Sequence, residues 1–367
     1  MPLIARVQAR PLDVELIEPF GIATGAQTRA ANVLVRVELD DGTAGLGEAA
    51  PFPAVSGETQ SLALAEVARV APALTGARAS RWRALARQLD ELGPCASARC
   101  AIETAVADAL ARRAGASLWE LFGGAEASLV TDLTVTTGGV EAAERAARAA
   151  AAKGFATIKV KVGGAPFDED VRRLRAIAGA APAARLLLDA NAALEASVAV
   201  ALVASLGAER RRVVLFEQPT AAADLEGLRR VREAGLRVAA DESARSPESV
   251  RALARERAVD TVNLKIMKSG LFGALEMAAC ARALGLGLMI GGMVETRLAM
   301  TVSACLAGGL GGFEEIDLDT PFFLGDDGLT GGFAVTGSTL RLDTLGRGHG
   351  VDERPGGPEF APTVGEW

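Results

Sequence analysis

The sequence contains no tyrosine and a single histidine, so two side chains that often act in acid–base chemistry are nearly missing. That histidine, His349, lies in the glycine-rich segment 346–350, and we predict a loop role for it rather than catalysis. Histidine is the usual general base near neutral pH. If the protein transfers protons, lysine, aspartate or glutamate side chains must therefore carry them.

Other absences exclude whole classes of partner. The formal net charge of −7 lacks the positive excess of a nucleic-acid-binding protein. No apolar run reaches the roughly 18 residues of a membrane span, and residues 1–20 lack the order of a signal peptide. The four cysteines show no CxxC spacing, which favours buried, reduced thiols. We expect a cytoplasmic protein with a small-molecule substrate, no nucleic-acid or membrane partner, and assembly into a homo-oligomer.

Regular spacing dominates the second half of the chain. Eight positions, nearly all closing short apolar runs, are separated by 24 to 28 residues: Val135, Lys161, Asp189, Glu217, Asp241, Lys265, Gly291 and Asp317. This period fits one strand, one helix and two turns. Eight such units predict a (β/α)₈ TIM-type barrel, in which the carboxyl ends of the strands form the active-site face.

The barrel strands can be predicted individually. They are Thr131–Val135, Thr157–Val162, Arg185–Asp189, Val213–Glu217, Arg237–Asp241, Thr261–Lys265, Leu286–Gly291 and Phe313–Leu318. Ser246-Pro247 predicts a helix start, and four glycines predict helix ends: Gly154, Gly207, Gly235 and Gly285.

The first third of the chain has a different pattern. Residues 1–60 favour β-structure, with a hairpin between Val33–Leu39 and Ala44–Ala49 around Asp40-Asp41-Gly42. Residues 60–122 favour helices, including Ser97–Ala114 followed by Gly115. We therefore predict three parts: an α+β capping domain over 1–125, a barrel over 126–325, and a tail over 326–367 that returns to the capping domain.

Three carboxylates close consecutive strands of the predicted barrel. Asp189, Glu217 and Asp241 each follow an apolar strand, and together they suit a Mg²⁺ ion, which prefers hard oxygen ligands. Taken singly, an acid in such a position is more often a helix N-cap or a surface charge. Their matching positions in consecutive repeats favour the metal site.

Two lysines share one face of the second strand. Side chains alternate along Thr157–Val162, so Lys159 and Lys161 point one way and the apolar side chains the other. In isolation the lysines could lie in solvent. In a barrel the outward face must be apolar, so they point inward, where a lysine beside another cation should have a lowered pKa and can act as a base.

Lys265 ends the sixth strand, four places from Lys161 in a ring of eight. The two lysines should face each other across a substrate held at the metal. A divalent cation stabilises the enediolate formed when a proton leaves the carbon alpha to a carboxylate. The pattern therefore predicts inversion at such a carbon, or an elimination that begins in the same way.

Several ordered motifs resemble the enolase superfamily, specifically its muconate-lactonizing subgroup. They are Lys-x-Lys at Lys159, Asp-Ala-Asn at Asp189, Glu-Gln-Pro at Glu217, Asp-Glu-Ser at Asp241, Asn-x-Lys-x-x-Lys at Asn263–Lys268, and the run Ala101–Gly124 of the capping domain. Sites of this superfamily use a lysine or histidine base with Mg²⁺ at the enediolate. In the resemblance, Lys159 lowers the basicity of Lys161.

Within the subgroup the chain looks like dipeptide epimerases of the L-Ala-D/L-Glu epimerase type. The carrying motifs are Gly292–Thr296 and Asp317-Leu318-Asp319. The resemblance implies that Asp317 and Asp319 hold the dipeptide's α-ammonium, although a solvated acidic turn is the alternative. It implies substrate contacts at five further positions: Thr134, Lys268, Met293, Glu295 and Gly25.

Two loops depart from that family. In residues 19–26, Gly25 aligns with an arginine that binds the glutamate side chain of the substrate, and the nearest arginine is Arg29. Residues 50–57 are apolar, and Lys268-Ser269-Gly270-Leu271 replaces a usual Gly-Gly. We predict an apolar or uncharged side chain on the second residue of the dipeptide.

Two alternatives stay open. The same site could catalyse the muconate cycloisomerase or o-succinylbenzoate synthase/N-acylamino acid racemase reaction, whose substrates carry no free ammonium. A non-catalytic binding protein on a retained barrel would lack a base or a metal ligand, and none is missing from this sequence.

Overall fold

Two long antiparallel strands begin the chain in the computed structural model, which describes residues 1–22 and 25–360. Strands β1 (Ile4–Ile22), β2 (Gly25–Leu39) and β3 (Ala44–Ala49) form one sheet in that order, and the predicted hairpin at Asp40–Gly42 joins β2 to β3. Helices follow: α1 (Pro53–Ser56), α2 (Gln60–Leu74), α3 (Trp82–Leu92), α4 (Ala96–Ala114) and α5 (Leu118–Leu121). Ala23 and Thr24 of the first predicted loop, and residues 361–367 of the predicted tail, lie outside the described residues.

Helix α4 packs directly against the sheet, and glycines in β3 allow the contact. A Cβ atom at Gly47 would lie 2.0 Å from the carbonyl oxygen of Ala101, which is closer than atoms can approach. The helix matches the predicted Ser97–Ala114 closely and ends at Gly115. The sheet and helices of this segment bury a core of their own, with Val35, Val67 and Ile102 inside it.

Strands and helices then alternate. The elements are β4 (Ser128–Val130), β5 (Leu133–Val135), α6 (Val140–Ala152), β6 (Thr157–Lys161), α7 (Phe167–Ala180), β7 (Arg185–Asp189), α8 (Ala196–Ala204), β8 (Val213–Glu217), α9 (Leu225–Glu233), β9 (Val238–Ala240), α10 (Pro247–Arg255), β10 (Thr261–Leu264), α11 (Ile266–Ala283), β11 (Gly287–Ile290), α12 (Arg297–Leu310) and β12 (Glu315–Ile316). The last strands are β13 (Leu329–Gly331), β14 (Ala334–Thr336), β15 (Thr339–Arg341) and β16 (Val351–Glu353).

Strands β5 to β12 are parallel neighbours in chain order, which confirms the predicted fold. The two edge strands meet where the backbone N–H of Asp132 donates to the carbonyl of Ile316 at 3.0 Å. Each predicted strand overlaps an observed one. The last is the shortest, because only Glu315 and Ile316 of the predicted Phe313–Leu318 pair with β11.

A small apolar layer lies inside the sheet. Its fully buried members are Leu187, Leu215, Ala239 and Met289. Because side chains two residues apart share a face of a strand, Asp189, Glu217 and Asp241 point the same way one layer higher. Register supports this, since Lys161 pairs with Asp189 and Asp189 with Glu217. The packing of this apolar layer therefore determines where along the barrel axis the three carboxylates lie and that they point into the barrel.

Helix ends follow the predicted signals. The Ser246 side chain accepts a hydrogen bond from the Ser249 N–H at the start of α10. The four predicted stop glycines, at 154, 207, 235 and 285, lie just after helices and have positive φ. No helix in the described part of the chain combines the length and apolarity needed to cross a membrane.

The chain after the barrel returns to its first third. Strand β15 pairs with β4, and the backbone N–H of His349 donates to Asp108 on α4 at 2.9 Å. The His349 ring is fully buried, with Nε2 3.1 Å from the carbonyl oxygen of Leu46 and Nδ1 accepting from the Val351 N–H. Burial lowers its pKa, so the ring is neutral. His349 thus holds the tail in place and lies outside the polar cluster at the strand ends.

Candidate active site

Lys159 occupies the centre of a buried carboxylate cluster at the strand ends. Its Nζ atom lies 3.0 Å from Asp189 Oδ2, 2.7 Å from Glu217 Oε2 and 2.6 Å from Asp317 Oδ2. The residue is only 2% exposed, which excludes the alternative of a lysine in solvent. Burial opposes its charge, but the carboxylates outweigh burial and raise the pKa of Lys159 well above its usual value.

Lys161 and Lys265 lie at the ends of strands four places apart, and both face the same cavity. Lys161 Nζ is 2.6 Å from Asp189 Oδ2, and Lys265 Nζ is 2.8 Å from Asp241 Oδ2. Each lysine is 5% exposed. The structure therefore brings together the two lysines predicted to act on opposite faces of a substrate.

Two nearby carboxylates stabilise the positive charge of Lys265. Burial by itself lowers the pKa of this lysine, but Asp241 and Glu217 attract its charge and raise the pKa overall. The same attraction lowers the pKa of Asp241, against the effect of burial. The prediction of a lowered pKa was made for the lysine pair of β6, and carboxylates that it did not count stabilise the charge of Lys159 in the same way and raise its pKa.

The three predicted metal ligands lie within this network, fully buried. Lysines 159 and 161 lower the pKa of Asp189 despite its burial, whereas burial and the charge of Asp189 raise the pKa of Glu217 to about 7. A second group of acids lies nearby. Among the described residues, Asp132, Asp317 and Asp319 each offer one carboxylate oxygen that lies within 4.8 Å of the other two.

Asp317 and Asp319 are buried, at 6% and 1% exposure, so the alternative of a solvated acidic turn is wrong. Asp319 Oδ2 accepts a hydrogen bond from the Thr134 N–H at 2.6 Å. Thr134 also lines the cavity. Asp132, two residues before Thr134, is a site residue that the sequence motifs did not mark. Its only signal was its place at the barrel seam beside Thr134.

Lys268 supports a metal-ligand candidate instead of facing the cavity between the two lysines. Its Nζ donates to the carbonyl oxygen of Asp241 at 2.6 Å and to Asp241 Oδ1 at 2.5 Å. Asn263, in the same motif, donates to Glu217 Oε1 at 2.7 Å. These contacts fix the orientation of two carboxylates, so Asn263 is a second residue that the predicted set omitted.

Arg173 on α7 is the third residue near the site that the predicted set omitted. Its buried guanidinium donates to the carbonyl of Lys161 at 3.0 Å and to that of Thr136 at 2.8 Å, and it pairs with Asp170 at 2.9 Å. It therefore ties together the ends of β5 and β6, which carry Thr134 and Lys161. No sequence motif marked this residue, because a helix arginine in an amphipathic pattern looks like a surface charge.

One wall of the cavity is apolar. It consists of Phe20 and Ile22 from the end of β1 together with Phe52 and Val55 from the segment around α1. Met293 also lines the cavity. Both loops that departed from the family pattern therefore contribute hydrophobic side chains to the cavity.

Gly25 and Glu295 do not line this cavity among the described residues. Gly25 opens β2 beside the cavity wall, and a Cβ atom there would lie 3.3 Å from that of Ala54. Glu295 lies deeper, where its Oε1 accepts from the Met293 N–H at 2.7 Å and burial raises its pKa to about 8. Glu295 therefore holds Met293 in position. The nearest arginine, Arg29, turns toward Asp13, with 3.6 Å between the charged groups.

Comparison with known proteins gives two matching family models. "Enolase C-terminal domain-like" matches residues 141–355, and "Mandelate racemase / muconate lactonizing enzyme, N-terminal domain" matches residues 5–123. An aromatic dipeptide epimerase from Herpetosiphon aurantiacus is 49% identical over 95% of this chain and 98% of its own. An L-Ala-D/L-Glu epimerase from Thermotoga maritima is 34% identical over 93% of this chain and 99% of its own.

A solved structure is also similar to this chain over its whole length. It is the dipeptide epimerase from Enterococcus faecalis V583, described as complexed with Mg and the dipeptide L-Leu-L-Tyr. It is 30% identical, with a TM-score of 0.91, and the match covers 96% of this chain and 100% of the other.

Proposed function

The chain belongs to the mandelate racemase/muconate lactonizing enzyme family of enolase-like proteins, and we propose that it is a dipeptide epimerase. Such an isomerase inverts the α-carbon of the C-terminal residue of a dipeptide. The observation that carries the proposal is the pair Lys161 and Lys265, which face one buried cavity from strands four places apart. A carbon held between them can lose a proton to one lysine and gain one from the other.

Asp189, Glu217 and Asp241 are the residues that would hold a Mg²⁺ ion. The donor chemistry fits, because three buried carboxylates close adjacent strands and already attract the ammonium groups of Lys159 and Lys161. When bound, the ion would supply positive charge for the two enediolate oxygens and offset the carboxylates' hold on the lysines. The carbon-bound proton itself moves through Lys161 and Lys265.

Asp317 and Asp319 are suited to the dipeptide's α-ammonium. Both line the cavity and are buried, and the Thr134 N–H fixes the orientation of Asp319. A buried carboxylate pair needs a cation, and a substrate ammonium supplies one. The free ammonium is what separates this proposal from the N-acylamino acid and muconate alternatives.

The apolar wall supports a hydrophobic side chain on the second residue of the substrate. Phe20, Ile22 and Phe52 provide no charge or hydrogen bond for a glutamate side chain at that wall. With the wall packed as it is, about 30 Å³ is free, well below the roughly 300–1,000 Å³ of ligand pockets. We therefore propose that the loop bearing Phe52 and the end of β1 move apart to admit the dipeptide.

The proposal is tested by proton exchange. The protein with Mg²⁺ is incubated in D₂O with a library of dipeptides, and proton NMR follows the α-proton of the C-terminal residue. We expect exchange and epimerisation, fastest for aromatic and large aliphatic second residues. If no dipeptide in the library exchanges this proton, the function is not that of an epimerase acting on dipeptides.

Replacing the ammonium-binding acids distinguishes the closest alternatives. Asp317→Asn and Asp319→Asn should each raise KM for dipeptides by about tenfold or more, since a charge-assisted hydrogen bond contributes roughly 1.5–3 kcal/mol. The steady-state rates of both variants are compared for a dipeptide and for its N-acetyl derivative. Undiminished activity toward dipeptides, or faster turnover of the N-acetyl derivative by the wild type, would favour the N-acylamino acid racemase reaction.

Gly25→Arg tests the specificity of the cavity wall. A guanidinium placed there should increase kcat/KM for L-Ala-L-Glu relative to L-Ala-L-Phe by about tenfold, the effect of a charge contact of roughly 1.4 kcal/mol. The measurement is the ratio of the two kcat/KM values. Arg29→Ala is the matched control, because Arg29 points to Asp13 and should not change the ratio. An unchanged ratio in Gly25→Arg would show that this position does not contact the substrate side chain.

A reducing cytoplasm suits the four cysteines, all of which are free thiols in the structure. We propose that location for the enzyme. Assembly into a homo-oligomer stays a prediction, which the mass of the native protein in solution would test.

A further inference from the structure

Asp132 is a buried acid whose charge has no compensating contact. The residue is 2% exposed, and neither of its carboxylate oxygens has a hydrogen-bond partner among the described residues. Its neighbours in the acidic group are Asp317 and Asp319, within 4.8 Å. Burying an ionised carboxylate without a hydrogen-bond donor is unfavourable, because no contact compensates for the free energy lost when the group leaves water. This carboxyl therefore needs either a proton or a cation brought from outside.

Charge counting shows how large the imbalance is. Three carboxylates form the group, and within residues 1–22 and 25–360 Lys159 is the one lysine in contact with it, through Asp317. That same ammonium is shared with Asp189 and Glu217. Thr134 offers Asp319 a neutral N–H donor. The group thus carries more negative charge than its surroundings neutralise.

We propose that Asp132 is the third carboxylate of the site that binds the dipeptide's α-ammonium, and that ammonium binding displaces a proton which Asp132 and Asp319 share in the free enzyme. This inference rests on the proposed function. Asp132 lies behind the acids that line the cavity, so it is a positioning residue that acts through Asp317 and Asp319. The displaced proton leaves to solvent, and the ammonium takes over its charge.

The titration behaviour agrees with the geometry. Burial, together with the charges of Asp317 and Asp319, raises the pKa of Asp132 well above its usual value, and burial raises the pKa of Asp319 to about 7. The charged groups that face Asp132 are Asp317, Asp319, Lys159 and Glu217. Because the free site binds a proton and the occupied site does not, dipeptide affinity should rise with pH, by about tenfold per unit below the shared pKa.

The test is calorimetric titration of the Mg²⁺-saturated enzyme at pH 6. The titrant is an equilibrium mixture of both epimers of a dipeptide, so no net reaction heat is produced. At this pH the dipeptide amine, with a pKa near 8, is already protonated. Repeating the titration in buffers of different ionisation enthalpy counts the protons released on binding.

The wild type should release about one proton per dipeptide, as linkage requires for a site that is protonated when free and ionised when bound. Asp132→Asn should still bind the dipeptide but release clearly fewer protons than the wild type, with Asp319 supplying what remains, and its affinity should rise less steeply between pH 5.5 and 7. Glu103→Gln is the matched control. Glu103 is another buried acid, with a pKa that burial raises to about 7, but it accepts from the Phe272 N–H outside the group. Its replacement should leave the proton count unchanged.

Four outcomes would overturn the inference. The first is dipeptide binding by the wild type without proton release, a result that does not depend on whether Asp132→Asn folds. The second is equal proton release by Asp132→Asn and the wild type. In either case, α-proton exchange with dipeptides would show that the proposed function still holds. A loss of Mg²⁺ affinity in Asp132→Asn would make the group a metal site instead. If no dipeptide binds or exchanges, the proposed function and this inference fail together.

Discussion

Lys161→Ala and Lys265→Ala should each abolish epimerisation, with a loss of about 10²–10⁴-fold, the usual contribution of a positioned acid or base. The reason is geometric, because inversion needs a proton donor on one face of the carbon and an acceptor on the other. Each variant keeps one lysine, so it should still exchange the α-proton of one stereoisomer with solvent. The two variants should exchange opposite isomers. Proton NMR in D₂O with each pure epimer measures this directly.

Lys153→Ala is the matched control for both variants. Lys153 follows α6 in an exposed position, so its loss removes a lysine charge without touching the cavity. Full activity is expected. The two-lysine mechanism would be wrong if either active-site variant still inverted the carbon, or if both exchanged the same isomer. Thermal unfolding of each variant verifies that loss of activity is not loss of fold.

Glu217→Gln should remove Mg²⁺-dependent activity. The side chain keeps its shape and its contact with Asn263, but it loses the charge that a hard cation needs. Charge stabilisation by the ion is worth several kcal/mol, so the rate should fall by about 10³-fold. A chelator should inactivate the wild type to a similar extent, and added Mg²⁺ should restore it. Calorimetry of Mg²⁺ binding, without substrate, should show weakened affinity in the variant.

The control is Glu226→Gln, an exposed acid in the first turn of α9. Its Mg²⁺ affinity and activity should equal those of the wild type. Asp317→Asn is measured in the same titration, because Asp132, Asp317 and Asp319 each offer one carboxylate oxygen within 4.8 Å of the others and could hold an ion instead. Weaker Mg²⁺ binding in Asp317→Asn, with unchanged binding in Glu217→Gln, would move the metal site to that group.

The repeat spacing predicted the barrel because each strand–helix unit satisfies local rules. Apolar runs of strand length recur eight times with helices between them, four predicted stop glycines with positive φ follow helices, and the parallel sheet follows in chain order. Alternation of side chains was sufficient to place Lys159 and Lys161 inside, since the outward face of β6 must meet the helices. The shortest strand, β12, was overestimated: the backbone N–H groups of Glu314 and Asp317 on either side still donate to β11, but only Glu315 and Ile316 belong to the paired ladder.

By itself, then, the sequence determined which residues stand at the strand ends and which chemistry they share. The tertiary structure alone decided how their charges are distributed: Lys159 contacts acids from three strands, Lys268 supports Asp241, and Asp132 joins Asp317 and Asp319 across the barrel seam. It also brought Phe20 and Phe52 from separate loops to one cavity wall. The physical reason is the distance along the chain over which each property is set. Sequence periodicity depends on neighbouring residues within one strand or helix. Charge balance and pocket shape depend on side chains that are distant in sequence and meet only in the folded protein.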